Sequence, residues 1–266
     1  MKKLLYLFLT VLIVACSGED SNNDGNNNDD DNEPNLLVSS INYTRLTSSG
    51  TRLRKETFTY DGNKIIERTT QTEIDGNPVQ DYYSGRTEYF YANNKISRTY
   101  YYDNDTNLRR QKEYLYDPQG RVISIEQCFE PNDDGCDELR IESFSYNDDG
   151  SITSAGSGGG TATYQLDNNG NIISITDDDG FFALIYDNQK NPFKNLTGAS
   201  NILYGSFSNA YFISYTNNCL SFVYTSTDGY VDTVNWTYDY NDAGYPRSVF
   251  TDGSEEPQTI VIEYFE

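Results

Sequence analysis

A short unit that recurs along most of the chain limits the fold more than any other feature of the sequence. It consists of aromatic residues at alternating positions that end in Tyr, followed by Asp or Asn, a polar turn that usually contains Gly, and an aliphatic pair. Every element is present in Tyr114-Leu115-Tyr116-Asp117-Pro118-Gln119-Gly120-Arg121-Val122-Ile123. Asp accepts backbone N–H bonds at the start of a turn, Pro presets φ, and Gly takes the left-handed conformation of a type I turn with a G1 bulge. Each unit therefore predicts a β-hairpin.

Eight copies of this unit predict the architecture. Their anchor residues are 20 to 31 positions apart, enough for two strands and their turns: Tyr60, Tyr91, Tyr116, Tyr146, Leu166, Tyr186, Tyr215 and Tyr240. Each anchor shares a strand face with the residue two before it, which predicts a buried stripe. The opposite face is mostly polar: Thr59, Phe90, Leu115, Ser145, Gln165, Ile185, Ser214 and Asp239. We expect an all-β fold, a long antiparallel meander of about eight repeated β-hairpins that curls into a barrel-like or cocoon-like sheet.

The N-terminus predicts export and lipidation. Residues 1–15 have two lysines followed by a short apolar run, which is typical of a secretion signal and too short to span a membrane. The run ends in Ile13-Val14-Ala15-Cys16, which resembles a bacterial lipobox, so we expect Cys16 to carry the lipid. An ordinary signal peptide with a chance cysteine is the alternative. Acyl chains on Cys16 would make the membrane a partner of the mature protein.

Residues 16–35 predict a disordered tether behind the lipid. The stretch from Ser17 to Asn35 holds seven acidic residues and seven Asn, and no large apolar residue. The acidic pair Glu19 and Asp20 resembles the surface-export signals of Bacteroidetes lipoproteins. We expect attachment to the outer membrane, at the cell surface, with the periplasmic face as the alternative. Residues 36–266 then form a single β-repeat domain.

The whole pattern resembles a known family. The Tyr-Asp-x-x-Gly-x-aliphatic unit resembles the YD repeat of the RHS shell proteins. Together with the lipobox and the acidic tether, it is similar to a family of uncharacterised Bacteroidetes lipoproteins with a porin-like fold. RHS shells enclose a C-terminal toxin, and we expect none here because the chain ends at Glu266. A true membrane porin would need a lipid-facing apolar band, whereas the second face of these hairpins is polar.

Composition excludes several classes of function. The 266 residues include 19 Lys and Arg, 41 Asp and Glu, and no His, which gives a formal net charge of −22. A histidine base, nucleophile or metal ligand is therefore impossible, and so much negative charge argues against a nucleic-acid partner. No motif predicts a cofactor. The 24 Tyr and 13 Phe provide enough apolar surface for a folded domain.

Cysteines and loops offer few chemical groups. Cys128 and Cys136 flank a turn-rich stretch and predict a disulfide in an oxidising compartment, whereas Cys219 is expected to be a buried structural thiol. The acidic groups at Asp103/Asp105, Asp133/Asp134/Asp137 and Asp177/Asp178/Asp179 lack EF-hand spacing and predict solvated turns. The glycine run 156–160 lacks the Lys-Ser/Thr of a phosphate loop and predicts a flexible connection.

The sequence thus favours a non-catalytic, surface-anchored lipoprotein that serves as a binding or envelope scaffold module. A glycan hydrolase that uses two carboxylates is the alternative. Tyr83, Tyr101 and Tyr230 are candidate ligand-facing aromatics, because sugars stack on such rings beside Asn and Asp. The net charge favours a neutral or cationic glycan. A polysaccharide or an envelope protein is the expected partner.

Overall fold

The structure is a computed structural model that describes residues 35–79, 84–132, 135–198, 216–252 and 258–265. These ranges contain seventeen β-strands. No helix occurs in these ranges. The predicted signal segment, Cys16 and the tether up to residue 34 lie outside them. The strands are β1 (Val38–Thr47), β2 (Gly50–Asp61), β3 (Lys64–Ile74), β4 (Asn77–Val79), β5 (Gly85–Ala92), β6 (Lys95–Tyr102), β7 (Leu108–Tyr116), β8 (Val122–Asn132), β9 (Gly135–Tyr146), β10 (Ile152–Gly156), β11 (Thr161–Leu166), β12 (Ile172–Asp177), β13 (Gly180–Tyr186), β14 (Cys219–Ser226), β15 (Val231–Tyr240), β16 (Pro246–Asp252) and β17 (Gln258–Tyr264).

The sheet closes on itself. Strands pair antiparallel with their sequence neighbours, and β1 pairs with both β2 and β17. The three-residue β4 pairs with β3 alone, beside the β3–β5 pairing, so sixteen strands form the wall of the barrel. The prediction of an all-β meander that curls into a barrel is confirmed.

The repeat turns have the predicted geometry. The Asp117 amide donates to the Arg121 carbonyl and the Gly120 amide donates to the Asp117 carbonyl, both at 2.9 Å. Gly120 has a φ of 86°, a left-handed conformation that side chains with a Cβ rarely adopt. Matching amide pairs occur at Asn147/Gly150, Asp167/Gly170 and Asn241/Gly244. The recurring Gly is therefore fixed by backbone conformation.

Two of the eight hairpins differ from the prediction. Tyr186 pairs with Cys219, so the copies predicted at Tyr186 and Tyr215 contribute to one hairpin, β13–β14, whose strands are separated by a long connection. Tyr215 itself lies outside the described residues. The eighth hairpin is divided between the ends of the domain, since Tyr264 of β17 pairs with Val38 of β1. This register matches that of Tyr116 with Val122 in an ordinary repeat.

The apolar core lies inside the barrel, near the repeat turns. The residue two before the anchor is buried in most repeats: Phe58, Tyr89, Tyr114, Phe144, Tyr164 and Leu184. The described part of the β13–β14 connection adds Phe193 and Leu196 to this core, and the Phe193 ring lies 5.7 Å from that of Phe58. The Thr197 amide donates to the carbonyl of Asn63, in the β2–β3 turn. The connection therefore packs against the turn end of the barrel.

The outer face of the wall is polar, as predicted. Thr59, Phe90, Leu115, Ser145, Gln165, Ile185 and Asp239 are exposed, and Ser214 lies outside the described residues. Charged pairs cross this face, with Arg86 Nη2 3.1 Å from Glu88 Oε1 and Arg98 Nη2 2.9 Å from Glu113 Oε1. The exposed apolar side chains on this face have polar cross-strand neighbours: Phe90 pairs with Arg98, Leu115 with Ser124 and Ile185 with Ser221.

Candidate binding site in the barrel lumen

The inward face changes from apolar to charged with distance from the repeat turns. Side chains alternate between the two faces of a strand, so the residues that precede the buried aromatics by two or four positions also point inward. In β2 and β7 these residues are ionic. The group that we call the lumenal cluster consists of Arg54, Glu56, Arg68, Arg110 and Lys112. Its members lie on three strands, β2, β3 and β7, which are joined through a common register.

Two further strands, β5 and β6, lie between β3 and β7 and connect the members of the cluster. Arg68 of β3 pairs with buried Phe58 on one side and with Thr87 on the other. Thr87 pairs with Tyr101, and Tyr101 pairs with Arg110. This row places both arginines on the inside of the barrel.

Arg68 is the most deeply placed cation of the cluster. Its side chain is 11% exposed, and its Nη1 lies 3.9 Å from Oε2 of Glu56, which is 3% exposed. Glu56 also accepts a hydrogen bond from Arg54. Nε and Nη1 of Arg68 are buried without a hydrogen-bond partner. One carboxylate thus serves two guanidinium groups, and the donors of Arg68 are incompletely satisfied.

Lys112 lies in the next row of paired residues, one step closer to the repeat turns than Arg110. It pairs with Thr99 and Gln127, and Gln127 pairs with Arg140. Burial lowers the pKa of Lys112 to about 8, and the positive charges of Arg110 and Arg68 add to the effect, while Glu142 opposes it. The lowered pKa of Lys112 is therefore chiefly an effect of its burial.

A cavity of about 470 Å³ opens beside Lys112. Its polar lining includes Lys112, Gln127, Glu138, Arg140 and Glu142, with Gly156–Gly158 at one edge. This volume falls within the usual range of small-molecule sites. The lining offers cations, carboxylates and an amide, so it can bind a ligand that carries both charge and hydroxyl groups.

The glycine run at the edge of this cavity is a tight turn between β10 and β11. The Gly156 amide donates to the Gly160 carbonyl, and the Gly159 amide donates to the Gly156 carbonyl, both at 2.9 Å. The Ser157 amide donates to the Ile141 carbonyl at 2.7 Å. The prediction of a flexible connection was wrong, because these bonds attach the turn to β9.

The three candidate aromatics are not brought together. Tyr101 faces the lumen, its hydroxyl donates to the Ser84 carbonyl at 3.0 Å, and the Arg110 guanidinium lies 5.5 Å from its ring. Tyr230 is 62% exposed and lies in the β14–β15 turn. Tyr83 lies outside the described residues. Tyr101 alone of the two described rings adjoins the lumenal cluster.

The three cysteines in the described ranges supply no nucleophile. A disulfide joins Cys128 of β8 to Cys136 of β9, with the two Cα atoms 5.4 Å apart. Cys219 is a free, buried thiol, and burial raises its pKa to about 12. At neutral pH it is therefore almost entirely protonated and unreactive.

The acidic turns are organised by hydrogen bonds to their own backbone. Asp103 accepts the amides of Asp105 and Asn107 at 2.9 Å, and Asp177 accepts the amide of Gly180 at 2.9 Å. Asp133 and Asp134 lie outside the described residues. Among the residues that are described, no group of three or more acidic or cysteine side chains could hold a metal ion.

The fold is similar to solved structures of Bacteroides proteins. A porin-like protein from Bacteroides uniformis matches with a TM-score of 0.54 and 12% identity, over 86% of this chain and 98% of the other. A porin-like protein from Bacteroides vulgatus matches with a TM-score of 0.27 and 16% identity, over 86% and 99%. No family model and no curated protein sequence matches the chain. In the described ranges, no helix is long and apolar enough to cross a membrane. The first similarity shows a porin-like fold.

Proposed function

We propose that this protein is a non-catalytic envelope lipoprotein whose barrel lumen binds a small polar ligand. The observation that carries the proposal is the cavity beside Lys112, which is lined by charged and amide side chains. An interior that served only stability would be apolar, because buried charges stabilise a fold poorly. A glycan is the ligand class that the sequence favours, since its hydroxyls need such polar partners.

The polar outer wall supports a barrel that faces water. Ion pairs such as Arg86 with Glu67 and Arg98 with Glu113 connect neighbouring strands on this wall, where a lipid-facing barrel needs an apolar band. In this proposal the lipid on Cys16 holds the protein to the outer membrane, at the cell surface or on the periplasmic face. The porin-like fold is consistent with a place in the envelope.

The cavity carboxylates argue against the alternative of a glycan hydrolase. Glu138 and Glu142 are four residues apart on β9, a backbone distance of about 13 Å at the usual rise of a strand. Hydrolases hold their two carboxyl groups about 5 to 10 Å apart. Glu138 also accepts a hydrogen bond of 2.6 Å from Arg140.

A cavity-filling variant of the full chain tests the proposal. Gly158 lines the cavity and has open space where a Cβ would lie, so Gly158→Trp fills the cavity without a backbone clash. Gly160→Trp is the matched control, because Gly160 lies in the same turn, has open space and is not part of the lining. Affinity electrophoresis against a glycan panel, run with product analysis, should show retardation that Gly158→Trp abolishes and Gly160→Trp preserves. Retardation unchanged in Gly158→Trp, or released oligosaccharides, would refute the proposal.

A further inference from the structure

The charges on the outer wall are concentrated on one half of the barrel. On β2, β3 and β5–β7 the outward positions carry charged side chains: Lys55, Glu67, Arg86, Glu88, Arg98 and Glu113. Strands β10–β14 contain one charged residue, Asp177, which pairs with Ala162 and shares the inward phase of Ile175. The outer face of these five neighbouring strands therefore carries no charge, although the formal net charge of the chain is −22.

The outer face of β10–β14, together with residues 231–237 of β15, is called the uncharged wall below. It exposes three large apolar side chains, since Phe181 is 44%, Ile185 59% and Val231 56% exposed. Val223 of β14 lies between them, and it pairs with Ala183 on one side and with Thr233 on the other. The apolar side chains thus surround a centre of small and β-branched residues.

The other side chains of the uncharged wall distinguish it from a lipid-facing surface. Many outward positions carry hydroxyl groups: Thr153, Thr163, Ser174, Thr176, Ser221, Thr225 and Thr233. Hydrocarbon chains require an apolar band without so many hydroxyls. Protein interfaces, by contrast, combine apolar and uncharged polar side chains, and charged residues are depleted at their centre. The composition of the wall therefore fits a protein partner.

We infer that the uncharged wall is the interface through which two copies of this protein associate side by side. Two chains that each carry a charge of −22 repel one another wherever their charged surfaces meet, and this wall lets them touch without a charged side chain in the contact. Phe181 and Val231 flank Thr225 in one row of paired residues. A two-fold axis parallel to β14 therefore brings Phe181 of one copy against Val231 of the other and Val223 against its own counterpart.

The size of the uncharged wall fits a weak, reversible dimer. Four strands about 4.8 Å apart, with about six residues at a rise of about 3.3 Å, give β12–β15 a patch of roughly 19 by 20 Å. This flat area of about 400 Å² is about half of what each partner buries in a stable complex. The lipid proposed on Cys16 would confine the copies to one membrane, which raises their effective concentration. The inference does not depend on a ligand in the lumen.

The ends of the uncharged wall predict how the dimer responds to salt. Asp179 precedes β13, and Asp228 lies in the turn between β14 and β15, so two copies that meet side by side bring these acidic turns near each other. Both residues are exposed, and repulsion between exposed charges is screened by salt. Association should therefore increase with ionic strength.

Cysteine cross-linking of the full chain in isolated membranes tests the inference. Val223→Cys, treated with a short bis-maleimide, should give a species of twice the mass, because a residue on a two-fold axis meets its own counterpart. Leu115→Cys is the matched control, since Leu115 is 48% exposed on the charged half of the wall and its thiol should remain in a monomer. The free thiol of Cys219 is buried and common to both variants.

A second substitution tests the contact itself. Val231→Asp, added to Val223→Cys, should lower the cross-linked fraction at least five-fold, whereas Val231→Thr adds no charge and should retain most of it. Circular dichroism should show all variants folded, and the cross-linked fraction should rise with salt.

Absence of the double-mass species in Val223→Cys, or an equal yield from Leu115→Cys, would overturn the inference. A product of another mass would overturn it too, because a different protein would then cover the wall. A cross-linked fraction that falls with salt would contradict the uncharged contact. These outcomes are separate from the glycan panel, which tests the lumenal binding function.

Discussion

The phenol hydroxyl of Tyr146 in β9 donates a hydrogen bond of 3.0 Å to the carbonyl oxygen of Val122, the first residue of β8. Four further Tyr hydroxyls near the end of one strand donate to a backbone carbonyl at the start of the preceding strand: Tyr60 to Val38, Tyr116 to Ile96, Tyr238 to Cys219, and Tyr264 to Pro246. At these five positions the Tyr hydroxyl therefore connects neighbouring strands, and the side chain does more than fill the core.

Removing one of these hydroxyls should destabilise the barrel. We expect Tyr146→Phe to lower the free energy of unfolding by about 1–2 kcal/mol, because the Val122 carbonyl loses a partner in a partly buried position. Tyr186→Phe is the matched control, since the Tyr186 hydroxyl is buried without a partner in the described structure. Its removal should be neutral or stabilising. Urea unfolding measures both changes, and an equal loss in the two variants would contradict this role of the bond.

High pH should unfold the protein through its tyrosines. Burial raises the pKa of Tyr60, Tyr116 and Tyr264 above the ordinary value of 10. A raised folded-state pKa means that stability is fully present below about pH 10 and is lost as the pH rises further, because the unfolded chain releases these protons first. Absorbance at 295 nm and circular dichroism should therefore change together above pH 10. Tyrosinate that forms while the fold persists would contradict the prediction.

Lys112 should oppose stability at neutral pH. Its folded-state pKa of about 8 lies below the ordinary value of 10.5, so the unfolded chain holds the proton more tightly. The free energy of unfolding should rise between pH 8 and 9.5, by on the order of 1–2 kcal/mol. Lys112→Met should remove this rise, and Lys55→Met should keep it. A pH profile that is the same in Lys112→Met as in the native protein would show that the rise has another source.

Loss of the Cys128–Cys136 disulfide should weaken the β8–β9 hairpin. The sequence separation of eight residues closes a small loop, for which we expect a loss of about 2–3 kcal/mol in Cys128→Ala/Cys136→Ala. Non-reducing peptide mapping should recover the pair, and Cys219 should react with alkylating reagents only after unfolding. Rapid labelling of Cys219 in the native protein would contradict its burial.

Cys16→Ser should release the protein from membranes and abolish fatty-acid labelling. The prediction follows from the lipobox at residues 13–16, since a single acylated cysteine at that position is the only expected anchor of the chain. Cell fractionation measures it, with Cys219→Ser as the control that retains both the label and the membrane fraction. A Cys16→Ser protein that stays membrane-bound would contradict the lipobox.

Most of the wall could be predicted because the hairpins are local. Asp117 and Gly120 determine a turn within five residues, so the turn is visible in the sequence. The divided hairpin was missed because Val38 and Tyr264 meet only when the sheet closes. The β13–β14 hairpin was misassigned for a related reason, since Tyr186 and Cys219 pair across a long connection that holds a weaker copy of the unit.

The lumenal cluster was missed although its signal was present. Lys112 and Arg110 precede the anchor Tyr116 by four and six positions, in the same inward phase as buried Tyr114. Period-two alternation could have placed them inside the barrel. The net charge does not reveal such a cluster, because a sum over the whole chain contains no information about cations that lie on one face of a few strands.

The pairing of β1 with β17 has a consequence for the order of folding. Ser40 and Glu263 are 223 residues apart, and their side chains form a hydrogen bond of 2.6 Å across the seam. Contacts of such long range form late, because the entropy of closing the intervening chain must be overcome first. Until then β1 and β17 each present an open edge to which a second chain can add. Closure of the seam is therefore the step at which we expect folding to compete with aggregation.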